Sequence, residues 1–311
     1  MKTWIIAGGT GFIGESLAQH LVHLGFRVIV LSRDHRINSN GVEFFQYDYS
    51  SPNSIVPLIE GADVLVNLCG KSVDTRYTKA NKKELYDSRL KTTSVLGDAC
   101  RLATLPPGQV LQMSTATIYR DSISKTWDEQ GEFGSGFSVD LAKKWEATAR
   151  TYFPSNTSLA ILRTSIVLGS KGAYPHYKWI ARAGFRGFGG RDLRFSWIHI
   201  NDFCRACVFL AGKNAGGVYN LASSPVTIRE FLEEIAHVSG GLNIAKMPEW
   251  MVKFGAVMLR TESELLLKSR NVVGKRLIDE GFDFKWPNIY DAIHQLERHS
   301  EATPTMNEAW N

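Results

Sequence analysis

The run Gly8-Gly9-Thr10-Gly11-Phe12-Ile13-Gly14 follows directly on the short apolar stretch Met1-Lys-Thr-Trp-Ile-Ile-Ala7. Glycines at 8, 11 and 14 suit the binding of phosphates by main chain. Gly8 permits a tight turn, Gly11 lets a pyrophosphate approach the backbone, and Gly14 lets a following helix sit close on a sheet. The amino terminus of that helix then offers unpaired N–H groups and a positive dipole end. An amphipathic run through Leu24 and a second apolar stretch, Arg27-Val-Ile-Val-Leu31, supply the strand–turn–helix–strand context of a dinucleotide site.

The end of the second strand bears on which dinucleotide fits. An acidic side chain there would bond the adenosine ribose hydroxyls and repel a 2′-phosphate. This chain reads Leu31-Ser32-Arg33-Asp34, with Arg36 close behind. A hydroxyl beside a guanidinium suits a 2′-phosphate, which arginine binds bidentately. The cofactor expected is therefore NADP(H), with Asp34 turned to solvent. Asp48, after the third strand, is placed to accept from the adenine amino group. Asn67-Leu68-Cys69-Gly70 ends the fourth strand, where Gly70 would let backbone pass close to ribose and phosphates.

Positioning these residues takes alternating strands and helices. Apolar periodicity predicts strands at 2–7, 27–31, 42–46, 63–68, 108–113 and 158–163, with helices near 11–24, 53–60, 78–103 and 138–152. This alternation implies an α/β fold: a Rossmann-type doubly wound parallel sheet covered on both faces. The long helix at 78–103 is expected to span an edge of the cofactor cleft. After Gly169 the texture changes to a Gly-, Arg- and aromatic-rich stretch. Phe195–Ile200 then reads as a strand, Asn201–Gly212 as a helix, and Val218–Leu221 as a strand. A helix at 227–239 follows, with a capping box formed by Thr227 and Glu230. The expected division is a dinucleotide-binding domain over 1–169, to which 195–222 returns. Residues 170–194 and 223–299 form a smaller interleaved α/β carboxy-terminal substrate domain, and 300–311 a tail.

Composition narrows the classes of function. The 311 residues are 44% hydrophobic and 22% charged, with a net charge of +5 and no basic block. Neither a nucleic-acid partner nor a membrane surface is implied. The amino terminus lacks the pattern of a signal peptide and no stretch approaches roughly 18 apolar residues. A cytoplasmic or organelle-matrix enzyme is expected. Cys204-Arg-Ala-Cys207 has metal or redox spacing but no second pair and falls on an apolar helix face. These cysteines are expected in the core, with no metal bound.

The motifs Gly8–Gly14, Asn67–Gly70, Met113-Ser-Thr-Ala-Thr-Ile-Tyr119 and Trp197-Ile-His-Ile-Asn-Asp202 give the chain a specific likeness. It resembles the extended short-chain dehydrogenase/reductases, which include nucleotide-sugar epimerases and dehydratases. It is most similar to an epimerase-like family with a dedicated short carboxy-terminal domain. Further marks are Glu84, Asp87-Ser88-Arg89, Lys144-Trp145-Glu146-Ala147, Leu162-Arg163-Thr164 and Lys275–Phe282. The resemblance implies that Ser32 and Arg33 hold the 2′-phosphate and that Leu68 and Cys69 line the adenosine side. It also implies that Glu84 and Arg89 face the cofactor, and that Ile166-Val167 meets the nicotinamide. Arg89 would in addition set a cation opposite the pyrophosphate.

Catalysis is where this chain leaves the superfamily pattern. That pattern pairs a Ser or Thr after the fifth strand with Tyr-x-x-x-Lys on the next helix. Thr115 fills the hydroxyl position, but the tyrosine and lysine positions read Ser138 and Ala142. Lys144 is turned about 200° from Ala142 at roughly 100° per residue. Tyr119 is the tyrosine in reach of the motif register and the candidate acid. His199 and Asp202 read as structural, Asp202 serving the start of its helix. The leading expectation is an NADP(H)-dependent oxidoreductase or epimerase-like protein acting on a small hydroxy or carbonyl substrate. A non-catalytic NADP(H)-binding regulator and a nucleotide-sugar epimerase are the alternatives, the latter using Arg182, Arg186, Arg191 and Arg194 on a diphosphate. Exposed faces of the long helices could pair two subunits into a homodimer.

Overall fold

Residues 1–47, 49–242, 245–252 and 267–301 are described by the structure, a computed structural model. Its centre is a seven-stranded parallel sheet. The strands are β1 (Thr3–Ala7), β2 (Arg27–Ser32), β3 (Val42–Gln46), β4 (Val64–Asn67), β5 (Gln109–Thr115), β6 (Ser158–Thr164) and an edge strand, Gly217–Leu221. The edge strand pairs with β6, and the spatial order continues β6-β5-β4-β1-β2-β3. The order reverses between β1 and β4, so the carboxyl ends of those strands open a crevice suited to a ligand.

Both faces of the sheet are covered, and the strand period of two assigns the side chains. Trp4 and Ile6 point to one face, where they join Leu17 and Leu21 of α1 (Phe12–His23) and Phe203, Cys204 and Cys207 of α6 (Ile200–Gly212). Ile5 and Ala7 point to the other, against Leu96, Ala99 and Cys100 of α3 (Lys79–Leu102) and Ala149 of α4 (Phe137–Tyr152). Cys204 and Cys207 are wholly buried free thiols. Among the described residues no cluster of His, Cys, Asp or Glu could hold a metal, and no helix is long and apolar enough to cross a membrane.

A second apolar cluster gathers α5 (Tyr174–Arg182), α7 (Ile228–Ser239) and the last helix, Ile289–Glu301, around Phe195, Phe231 and Trp197. The Thr227–Glu230 capping box starts α7 as expected.

Two elements differ from the sequence expectation. Residues 53–60 do not form one helix: a 3₁₀ turn at Pro52–Ser54 leads into a short helix at Val56–Ile59. Pro57 has no N–H to donate, which interrupts the ladder. The strand expected through Phe195–Ile200 is split. Arg194–Phe195 pairs antiparallel with Val226–Thr227, whereas Trp197–His199 pairs parallel with β7 (Ile166–Leu168). Between them, Ser196 donates its hydroxyl to the Arg270 carbonyl at 2.8 Å and accepts from Val272 N–H at 2.7 Å. That side-chain pairing pins the break, and Ile200 already begins α6.

Candidate functional site

The β1–α1 turn borders a cleft of about 1060 Å³ at the strands' carboxyl ends. Gly8 adopts φ +77°, and a Cβ there would lie 2.8 Å from the Cys69 nitrogen. A Cβ on Gly14 would lie 2.5 Å from the Gly9 Cα, so only glycine allows α1 to start this close to the turn. At Gly11, the N-cap of α1, an added Cβ would meet nothing within 4 Å, and no side chain caps the helix. Backbone N–H groups of the first turn therefore lack internal acceptors and face open space, a cradle that suits a pyrophosphate. Thr10, Gly11, Phe12, Ile13 and Gly14 all line it.

Ser32 and Arg33 line the far end of the same cleft. Ser32 Oγ accepts from the Asp34 N–H at 3.2 Å, and the exposed Asp34 is not among the lining residues. Arg36 does not join them. It lies 3.9 Å from Glu15 and 6.0 Å over the Phe44 ring, which give its guanidinium a carboxylate and an aromatic face. Asp48 lies outside the described residues. Leu68, Cys69 and Gly70 line the cleft where expected. Cys69 Sγ bonds Tyr49 Oη at 3.2 Å, and burial pushes its thiol up to about 11, so it stays protonated and apolar in character.

Helix α3 forms one edge of the cleft through Glu84, Asp87, Ser88, Lys91 and Thr92. It also fixes the chain after Gly70. Ser88 Oγ accepts from Lys71 N–H at 3.0 Å, and Arg89 Nη2 donates to the Lys71 carbonyl at 3.0 Å. The Lys71 ammonium pairs with Glu84. Lys71, a cation one residue past Gly70 in the loop after β4, was missed in the sequence reading, although that position was its signal.

Beyond the cleft lies an inner cavity of about 380 Å³. Phe12, Ile13, Leu68, Gly70, Lys71 and Met113 border both spaces. Thr115, Ser138, Ala142 and Val167 line the inner one, as do Tyr77 and Arg89. Thr115 Oγ1 accepts from Thr117 N–H at 3.1 Å and caps the 3₁₀ turn Ala116–Ile118. Arg89 is thus found at the inner cavity rather than along the lining of the larger cleft. It is buried, its guanidinium 5.0 Å from the Trp145 ring.

Tyr119 is not brought to this cavity. The turn after Thr115 rotates the chain, so that Tyr119 is only 3% exposed, donating to Asn220 Oδ1 at 2.7 Å and accepting from Arg163 Nη1 at 2.9 Å. Burial pushes its phenol up against the opposing pull of Arg163. The same network continues through the bidentate Arg163–Glu146 pair (2.8 and 2.9 Å) to Ser114 Oγ at 2.7 Å. Glu146 and Arg163, each within a stretch read from the sequence as a family mark, are therefore the struts beneath the β5 terminus.

His199 is structural: Nδ1 accepts from Asn201 N–H at 3.2 Å and Nε2 pairs with Gln295 at 2.8 Å. Asp202 is not the cap of its helix, which is His199, but it lies in the first turn, where a carboxylate favours the helix start, and it accepts from Arg205 Nη1 of the same helix at 2.7 Å. Its carboxylate accepts from Lys285 and Trp286 N–H at 2.9 and 2.8 Å, clasping the carboxy-terminal segment to α6. Arg186 is spent on the carbonyls of Ala181, Phe185 and Leu242, and Arg191 on Asp121. These arginines do not converge on a diphosphate.

Residues 4–222 match the model of the NAD dependent epimerase/dehydratase family, and residues 247–296 match a domain of unknown function, DUF1731. The epimerase family protein YfhF of Bacillus subtilis is 30% identical over 302 residues, covering 94% of this chain and 96% of that protein. The human epimerase family protein SDR39U1 is 29% identical over 300 residues, covering 94% and 98%. The crystal structure of human SDR39U1 (isoform 2) with NADPH is similar at TM-score 0.83 and 28% identity, covering 96% of this chain and 99% of that one.

Proposed function

The chain belongs to the NAD dependent epimerase/dehydratase family, and from that premise we propose that it is an NADP(H)-dependent oxidoreductase or epimerase-like enzyme for a small hydroxy or carbonyl substrate. The observation that carries this reading is the joining of two spaces along shared walls. One has a glycine cradle and Ser32-Arg33; the other holds the Thr115 hydroxyl. The human relative crystallised with NADPH supports the choice of cofactor.

Residues 8–14 hold the pyrophosphate, Ser32 and Arg33 the 2′-phosphate, and Val167 borders the nicotinamide end. A bound reduced nicotinamide supplies a hydride. The chain's own part is to orient the substrate and stabilise its oxygen. Thr115, whose hydroxyl donates to Thr117 Oγ1 at 3.1 Å at the β5 terminus, exchanges that acceptor for the substrate oxygen as negative charge develops. Val73, Leu141, Ala142, Trp145 and Ile166 make much of the wall apolar, and the space of about 380 Å³ favours a small substrate over a nucleotide sugar.

NADPH oxidation against a panel of small aldehydes and ketones tests this reading. Turnover is expected, and Thr115→Val is expected to reduce kcat by at least about tenfold while the protein still binds NADPH. Equal turnover in Thr115→Val would remove Thr115 from the mechanism. A second reading, a non-catalytic NADP(H)-binding regulator, is favoured by Ser138 and Ala142 standing where an acid and a cation are usual. It predicts tight binding that discriminates oxidised from reduced cofactor, with no turnover.

A further inference from the structure

Ser138 cannot replace a tyrosine as an acid, but a tyrosine reaches it from elsewhere. Tyr77 Oη lies 3.2 Å from Ser138 Oγ. Tyr77 belongs to the segment just before α3, whose N-cap is Thr78. Its ring is held edge-on against Phe137, with centroids 4.7 Å apart. Tyr77, Ser138 and Thr115 line the same inner cavity.

A cation also reaches this wall from another element. Arg89 lines the cavity beside Trp145, one turn of α4 from Ala142. Its recorded hydrogen bonds go to the carbonyls of Leu85 and Lys71, and it has no carboxylate partner among the described residues. Burial lowers its pKa to about 10, and the neighbour that favours its charge is the phenol of Tyr77. A buried cation without an anion gains most from a phenolate forming nearby.

We propose that Tyr77 is the catalytic proton donor of the inner cavity, and that Arg89 is the positioning cation that takes over from the absent helix lysine. The inference rests on the oxidoreductase reading above. A carbonyl that gains a hydride at carbon gains one proton at oxygen. Tyr77 Oη–H breaks as the substrate O–H forms; the phenolate accepts from the Ser138 hydroxyl and lies in the field of the Arg89 cation on the same cavity wall. A proton from water then restores the phenol. The hydride and its electron pair come from the reduced dinucleotide, which is oxidised in the exchange. With a hydroxy substrate the same transfers run in reverse.

Ultraviolet difference titration of the free protein tests the pair without turnover. The expected result is that the phenol ionising at lowest pH disappears in Tyr77→Phe and moves to higher pH in Arg89→Gln. Arg89→Lys, which keeps a cation, should restore it toward the wild-type position. If Tyr77→Phe keeps that transition, or Arg89→Gln and Arg89→Lys leave it unmoved, the inference is overturned. NADPH titrations of the same proteins separate the two failures. Wild type that does not bind NADPH overturns the oxidoreductase reading, whereas intact binding with an unmoved phenol overturns the Tyr77–Arg89 pair alone.

Discussion

Glu146→Ala is expected to cost ~3–5 kcal/mol of folding free energy, more than an ordinary substitution on a helix. Its carboxylate accepts both Arg163 Nε and Nη2 and the Ser114 hydroxyl, and both charged side chains are under 8% exposed. Removing the anion leaves a guanidinium buried without a counter-charge, and the desolvation already incurred is no longer offset. Urea unfolding should show a lower midpoint with little change in slope. Adding Arg163→Met should recover much of the loss, because it removes the stranded cation. A single-mutant loss below about 1 kcal/mol, the range of exposed pairs, would show that the network does not hold the β5 terminus and with it Thr115.

Gly14→Val is the second large effect, and it acts on the cradle. The first new atom would sit 2.5 Å from Gly9 Cα and 2.7 Å from Gly9 C. Both are backbone atoms, so no rotamer change relieves the overlap and α1 must back away from the turn. Its first-turn N–H groups then miss a bound pyrophosphate, and each hydrogen bond lost to a charged group is worth about 1.5–3 kcal/mol, a factor of about ten or more. NADPH affinity should fall by at least about tenfold, with a lower Tm. Gly11→Ala separates binding from folding. Its Cβ meets no protein atom within 4 Å, so Tm should hold while affinity falls. Unchanged affinity in both variants would place the dinucleotide elsewhere.

The parts of this architecture that depend on local pattern were legible in the sequence. An apolar run, three spaced glycines and an amphipathic segment are each short-range signals, and together they located the β1–α1 cradle. The Thr227–Glu230 box was equally local. What depended on tertiary packing was not legible. Tyr77 and Ser138 are 61 residues apart and meet only because the segment before α3 folds onto α4. Tyr119 was assigned by counting from Thr115, but a 3₁₀ turn intervenes and sends it inward to Arg163 and Asn220. Arg36 was grouped with Arg33 by proximity in sequence, whereas Glu15 and Phe44 claim it in space. Asp202 sits in its helix's first turn as read and pairs there with Arg205, but it also accepts from the backbone of Lys285 and Trp286, which no local pattern announces. In each case a contact made only in the folded chain settled the side chain's role.

On the function proposed above, this cleft takes NADP(H), with Ser32 and Arg33 reading the 2′-phosphate. Calorimetric titration of the wild-type protein with NADPH and with NADH tests it most directly. A charge-assisted pair is worth about 1.5–3 kcal/mol, and each 1.4 kcal/mol is a factor of ten. NADPH is expected to bind at least about tenfold more tightly than NADH, and Arg33→Ala is expected to remove the difference by weakening NADPH alone. Equal affinity for the two, or a preference for NADH, would contradict it.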